Sequence, residues 1–397
     1  MTQKVFSKPM NKRLNIELVK RAMDSLGFNN SQLAERLAVS RTIVGDWLAG
    51  KKFPRPDKLV RLGMLLRLPH SDLVVDDTPL AAVVNFRMKA RRALNDTHFA
   101  NALKKAMLLD SIADYLPDGA LEVPPVLKRP SLDYGYIQKA VAMVRGLANK
   151  SMTDVVHYSD LVEIIHAYDV VPVPVFWGVT SSRDNDAHGL YVESPRSKKE
   201  WMYINLDSCI LEFKFWVAHE IGHIITKCSC DTDFSENFAE RFAQSFLFPE
   251  EMAAKAYEKL AGLNANLLVT EVIALADPLC ISPYTIYKSV NSYAVENGLD
   301  QLEKLNSAYV GIKKYVEKKS TLIDKLRSDS GRYFAGENEG YLSPEEYVYL
   351  AETYFKTPIF DSLRKFLGET SRGDGFLQSL FDIQAVEAKE LHYFLTH

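Results

Sequence analysis

The sequence predicts an α+β protein that is mostly helical, with an all-α segment at its N-terminus, a small sheet near its middle and further helices to its end. Three observations carry this reading. Segment after segment shows apolar residues at the 3.6-residue spacing of amphipathic helices. Strand-like runs gather in one interval, at Val170 to Trp177, His188 to Val192 and Trp201 to Leu206. Charge is divided unevenly: the first 69 residues hold 14 Lys and Arg against 5 Asp and Glu, a net of +9, so with -3 overall the remainder carries -12. A basic segment joined to an acidic body points to a nucleic-acid partner for the first part only.

A chain of 397 residues leaves room for two or three domains, and 47% hydrophobic with 25% charged residues is an ordinary globular balance. No run of about 18 apolar residues occurs and the first 15 residues lack the apolar core of a signal peptide, so a cytoplasmic protein without a membrane partner is expected. The 4 cysteines form no framework pattern, in keeping with a reducing compartment. Four segments are expected: 1–69, a DNA-binding domain; 70–130, a helical connector; 131–300, the domain that carries the sheet; and 301–397, a helical region of no assigned role.

Within 1–69, Asn30 to Lys51 reads as two short helices about a tight turn. Leu33, Ala34 and Leu37 face inward from the first, Val39 plugs the turn, and Val44 and Trp47 face inward from the second. Ser40 suits the cap of the second helix and Gly50 its end. The stretch from about Asn15 to Pro69 resembles the Xre or lambda-repressor-like helix-turn-helix. The resemblance implies that Arg41, Thr42, Ile43, Gly45 and Asp46 meet base edges while Asn30, Lys51 and Lys52 touch phosphates of a double-stranded operator. Gly45 and Asp46 depart from the polar or basic residues expected there. Such modules commonly read two half-sites, which favours a homodimer.

Residues 70–130 contain a strand or turn at Val83 to Arg87, then a helix to Asp110 with Lys89, Arg91 and Arg92, and a Pro- and Gly-broken link from Leu116 to Pro130. A capped helix from Ser131 to about Ala148 and another from Leu161 to Tyr168, capped by Ser159 or Asp160, precede the sheet. Its edge is expected at Gly189 to Val192 or Tyr203 to Leu206, and an open edge can accept an extended segment by strand addition.

Leu211 to Thr226, LEFKFWVAHEIGHIIT, follows, with Asp207 or Ser208 as its cap. His219 and His223 are four apart, so on a helix they sit one turn apart on one face and can grip one metal ion, with Glu220 roughly 100° round. Two imidazoles, a carboxylate and an open fourth position suit zinc. The next helix, capped by Ser235 and ending at Pro249, offers Glu236 in its first turn, with Asp231, Asp233 and Glu240 as rival carboxylates. His188, Tyr191 and Arg241 are candidate oxyanion stabilisers, each more often a structural residue.

HEIGH, the ExxAxxFA pattern from Glu236 to Ala243, the following Phe246-Leu247-Phe248-Pro249-Glu250 and the preceding Tyr203-Ile204-Asn205-Leu206-Asp207 resemble the ImmA/IrrE family of metallopeptidases over about Ser131 to Asn297. The resemblance implies a zincin-like peptidase domain, zinc (Zn2+) on His219, His223 and Glu236, and Glu220 as general base. It implies narrow proteolysis of a protein substrate, a helix-turn-helix repressor or antitoxin-like partner, in phage or mobile-element immunity or the stress response. The alternative is a transcription regulator or antitoxin that cuts nothing and uses the peptidase fold to sense a partner or signal.

Beyond Pro249 helices are expected again. Ser282-Pro283 opens one that packs on the core, Gln301 to Leu326 reads as one amphipathic helix, Asp329 to Gly340 as a loop, and Ser343-Pro344 starts another helix.

Overall fold

The computed structural model describes the chain apart from residues 1–11, 50, 53, 67, 69–72, 77–83, 89–95, 120–121, 177–186, 228–231 and 333–341. The chain divides into two compact units, Met1–Ala81 and Ala82–His397. The connector read over 70–130 is therefore shared between the units, and residues 131–300 and 301–397 fold as parts of one unit.

In the first unit, α1 (Ile16–Ser25), α2 (Asn30–Leu37), α3 (Arg41–Leu48) and α4 (Pro56–Leu66) share one core, and β1 (Lys12–Leu14) pairs antiparallel with β2 (Val74–Asp76). Leu33, Ala34, Leu37, Val44 and Trp47 are buried and Val39 packs against them, as the periodicity predicts. Ser40 caps α3 by accepting from the Ile43 amide at 3.2 Å. Asn29 caps α2, its side chain accepting from the Ser31 and Gln32 amides. Gly50, the expected helix end, lies outside the described residues.

The second unit holds a four-stranded sheet of β3 (Val84–Met88), β4 (Val170–Val175), β5 (Ala187–Glu193) and β6 (Glu200–Asn205), in the order β3-β5-β6-β4. β4 and β6 are parallel, while β5 is antiparallel to both β6 and β3. Both stretches expected to form the edge, Gly189 to Val192 and Tyr203 to Leu206, thus lie on interior strands. Among the described residues the edges are β3 and β4. β4 belongs at an edge because Pro172 and Pro174 have no amide hydrogen to give a neighbour. Their carbonyls instead accept from the Thr357 and Tyr347 hydroxyls, so residues near the C-terminus cover that edge.

Helices α5 (Asp96–Ile112), α6 (Tyr134–Leu147) and α7 (Tyr158–Ala167) precede or flank the sheet. α7 begins earlier than expected: His157 is its N-cap and Asp160 accepts from the His157 amide at 2.7 Å. After β6 come α8 (Ile210–Thr226), α9 (Thr232–Leu247), α10 (Glu250–Leu260), α11 (Ala265–Leu279) and α12 (Pro283–Glu296). Ser282 caps α12 and its Ile286 and Val290 are buried in the core, as expected.

The single helix expected over Gln301 to Leu326 is broken. A 3-10 turn at Asn306–Ala308 leads into α13 (Tyr309–Glu317), and α14 (Leu322–Ser330) restarts after Thr321. Thr321 competes for the backbone as an N-cap, and with Asp324 it forms a reciprocal capping box. α15 (Pro344–Phe355) opens on its Ser343 cap as expected, followed by α16 (Ile359–Glu369), α17 (Asp374–Phe381) and α18 (Ala385–Thr396). Among the described residues no single helix is long and apolar enough to cross a membrane; α11 and α12 pass that test only as a pair bent by 108°.

Candidate metal centre

α8 is buried on nearly every side, with Val217, Ala218, Ile221, Ile224 and Ile225 in the core, as befits a central helix. Its start corrects the sequence reading. The N-cap is Cys209, with no side-chain cap bond, and neither Asp207 nor Ser208 fills that role. A segment over a hundred residues away takes it up: the Ile210 amide donates to the Ser320 carbonyl at 3.2 Å, and the Leu322 and Ile323 amides donate to the Ser208 and Leu206 carbonyls at 2.8 and 2.9 Å. The first turn of a helix leaves amides without partners in the helix, and here the chain between α13 and α14 meets one of them.

α9 begins at Thr232, three residues before the expected cap Ser235. The difference gives Ser235 another task, since its Oγ lies 2.9 Å from His223 Nδ1. Phe238, Phe242 and Phe246 stack along the buried face of α9. Its end is held by Arg145, fully buried, whose guanidinium donates to the Phe246 carbonyl at 2.5 Å. Burial lowers the Arg145 pKa to about 10.

The two helices bring His219, His223 and Glu236 together, with one donor atom from each lying within 4.8 Å of the others. The imidazole Nε2 atoms are 3.1 Å apart. Glu236 Oε2 is 3.4 Å from His219 Nε2, and Glu236 Oε1 is 3.3 Å from His223 Nε2. His219, His223 and Glu220 are buried, whereas the Glu236 side chain is 63% exposed, so the cluster opens to solvent on its α9 side. Hydrogen bonding to His219 and then His223 holds the Glu236 carboxyl far below the usual range, so it stays an anion.

Outer partners suit the donor set. With its ring proton on Nδ1, facing Ser235, His223 presents the Nε2 lone pair to the cluster. His219 Nδ1 faces Glu240 Oε2 at 4.0 Å, and Glu240 Oε1 is held by Gln244 at 3.0 Å and Lys288 at 3.2 Å. Glu240 therefore lies on the outer side of His219, not among the donors. Asp233 is exposed on the first turn of α9, and Asp231 lies outside the described residues. Two imidazole nitrogens and a carboxylate converging on one point, with Ser235 bonded to one imidazole and the Glu240 charge near the other, can hold a metal ion.

Of the candidate oxyanion stabilisers, Arg241 donates to the Leu132 carbonyl at 3.0 Å. Tyr191 is buried on β5, and burial, with the charges of Glu200 and Glu220 nearby, holds its phenol protonated. Glu200 in turn pairs with Lys227 at 3.1 Å. His188 lies on β5. Ser235, expected as a cap, and Glu240, expected as a rival ligand, instead lie on the outer side of the imidazoles, while nothing in the sequence marks Lys288, on a helix some fifty residues on.

In the first unit, Arg41 and Thr42 are exposed on the first turn of α3, Ile43 packs partly on the core, and Gly45 is half-buried. Asn30 is the first residue of α2, and Lys51 and Lys52 are exposed beyond α3. Lys52 Nζ pairs with Asp46 at 2.8 Å, and that bond lowers the Asp46 pKa.

No family model matches the chain, and no curated protein matches it. Among solved structures it is similar to ComR from Streptococcus suis, at 12% identity over 96% of this chain and 92% of that one, with a TM-score of 0.14, a likeness too slight to carry an argument.

Proposed function

We propose that this chain is a zinc-dependent endopeptidase joined to a DNA-binding module, a gene regulator that cuts a helix-turn-helix repressor or antitoxin-like partner. The observation that carries the reading is the donor triangle of 3.1, 3.3 and 3.4 Å with Glu220 adjacent on α8. Tetrahedral zinc with bonds of about 2.0–2.1 Å sets its ligand atoms roughly 3.3 Å apart. The cluster has that size.

Zinc held by His219, His223 and Glu236 supplies a Lewis acid for the scissile carbonyl and a lowered pKa for the attacking water. Glu220, next to His219 on α8, would serve as general base towards the attacking water and proton donor to the leaving amine. Ser235 orients the His223 imidazole, and Glu240 sets a negative charge 4.0 Å from His219 Nδ1. The exposed flank of Glu236 leaves an approach for the peptide.

For the first unit, Arg41 and Thr42, exposed at the start of α3, would meet base edges, and Asn30 and Lys51 would touch phosphates. Asp46, an acid on the helix that would face DNA, is paired with Lys52, which offsets the repulsion a bare carboxylate would suffer there.

The test is co-expression with each helix-turn-helix protein encoded beside this gene, wild type against Glu220→Gln. Fragments of one partner with the wild type alone support the reading. Promoter binding with no partner cut under phage or damage challenge turns it to the non-proteolytic regulator.

A further inference from the structure

Strand β5 is bound to the metal helix. Gly189 lies so close to α8 that a Cβ there would meet the Trp216 ring at 2.3 Å, and Tyr191, two residues on, stands within the electrostatic reach of Glu220. Among the described residues β3 leaves its outer side open, but a peptide held against α8 must pair with β5 itself, and it can do so only where one side of β5 is free. One side of β5 pairs with β6, from Gly189 opposite Ile204 to Glu193 opposite Glu200. The other side is taken by β3, antiparallel, with Asn85 opposite Tyr191 and Arg87 opposite Gly189.

β3 has the marks of a removable strand. It is five residues long, it comes from about a hundred residues before β5, and its register breaks between Arg87 and Met88. A bulge leaves the ladder locally unpaired and weakens it.

We propose that β3 is an internal stand-in for substrate, occupying the side of β5 where the partner polypeptide must pair, and that it is displaced when that partner binds. This rests on the endopeptidase reading for what happens after binding, but not for the exchange itself. The sequence of β3, Val-Asn-Phe-Arg-Met, alternates apolar with polar residues. The occupant that replaces it is an extended protein segment of the same alternation, paired antiparallel to β5.

The probe is a fluorescein-labelled peptide of residues 82–90, AVVNFRMKA, added to the full-length protein carrying Glu220→Gln so that nothing is cut. Asn85→Pro with Phe86→Pro removes adjacent amides, so one loss falls on the β5 side whichever way the strand faces. If β3 blocks the edge, this variant binds the peptide at least about tenfold more tightly than its parent, because the competent state is no longer scarce. Hydrogen exchange at Leu190–Val192 is faster in the variant and slows again with peptide. Equal affinity and equal exchange in variant and parent overturn the proposal.

A second arm needs no weakened strand. Val84→Cys with Val192→Cys places a disulfide across a registered pair. The oxidised protein should lose peptide binding and reduction should restore it; equal binding in both forms overturns the proposal. Cleavage is read separately with Glu220 intact. Peptide exchange without cleavage would sustain the strand proposal and remove the endopeptidase reading. Cleavage at one rate with β3 locked or released would do the reverse.

Discussion

A Cβ on Gly222 would stand 2.8 Å from the Cα of Ala239, so α8 and α9 meet backbone to backbone between the histidines of one and the carboxylate of the other. No residue larger than glycine fits without moving α9. Gly222→Ala should therefore cost about 1–3 kcal/mol of stability and loosen metal binding by shifting Glu236. Adding Ala239→Gly should recover part of both losses, as coupled neighbours do. Thermal unfolding and metal titration of the two single variants and the double check this; strictly additive losses would show that the contact does not set the helix spacing.

Glu220 and His223 differ in what their loss should do. Glu220→Gln is expected to keep the metal and abolish cleavage, since it removes only the proton acceptor. His223→Ala should lose both. Zinc-replete Glu220→Gln that still cuts would refute the general-base role, and undiminished zinc in His223→Ala would exclude that ligand.

Glu240, held by Lys288 and Gln244, faces His219 Nδ1. Loss of such an outer partner typically costs about 10–100-fold in metal affinity. At the 4.0 Å separation seen here, Glu240→Gln should fall near the lower end, about tenfold. Competition against a chromophoric chelator measures it, and an unchanged affinity would make Glu240 a plain structural residue.

Lys214 is buried on α8, donates to the Leu279 carbonyl at 2.7 Å, and burial lowers its pKa from 10.5 to about 8. Below about 8 both folded and unfolded chains carry the proton, so the folded state bears the full cost, on the order of 3 kcal/mol before loss of the hydrogen bond is counted. As pH rises from about 8 to 10.5 the folded lysine gives up its proton first and the cost fades. Lys214→Met should thus be more stable than wild type at pH 7, with the difference in Tm shrinking towards pH 10. A difference independent of pH would contradict this.

Arg41 is exposed at the start of α3. Arg41→Ala should weaken binding to the gene's own promoter by about 1–3 kcal/mol, measured by fluorescence anisotropy at fixed salt. Equal binding of mutant and wild type would remove Arg41 from the interface.

Much of this was legible in the sequence where the interactions are local. Helical spacing places His219 and His223 on one face, and the inward residues of α2 and α3 follow from the same periodicity. Ser40, Ser282 and Ser343 mark their helices because a cap acts over three residues. What failed was long-range. Asp207 and Ser208 looked like caps, yet the amide at the start of α8 is met by Ser320, which no local rule could supply. The sheet edges were misplaced because strand order depends on β3, distant in sequence from the strands it joins. Ser235 suits a cap on local pattern alone, but the helix starts three residues earlier, at Thr232, and Ser235 contacts His223 instead.

The most direct measurement is metal content per chain on gently purified protein, wild type beside Glu236→Ala, by elemental mass spectrometry. About one zinc per wild-type chain is expected, with a sharp loss in the variant. No bound metal in the wild type even after zinc is added, or equal zinc in both proteins, would contradict it.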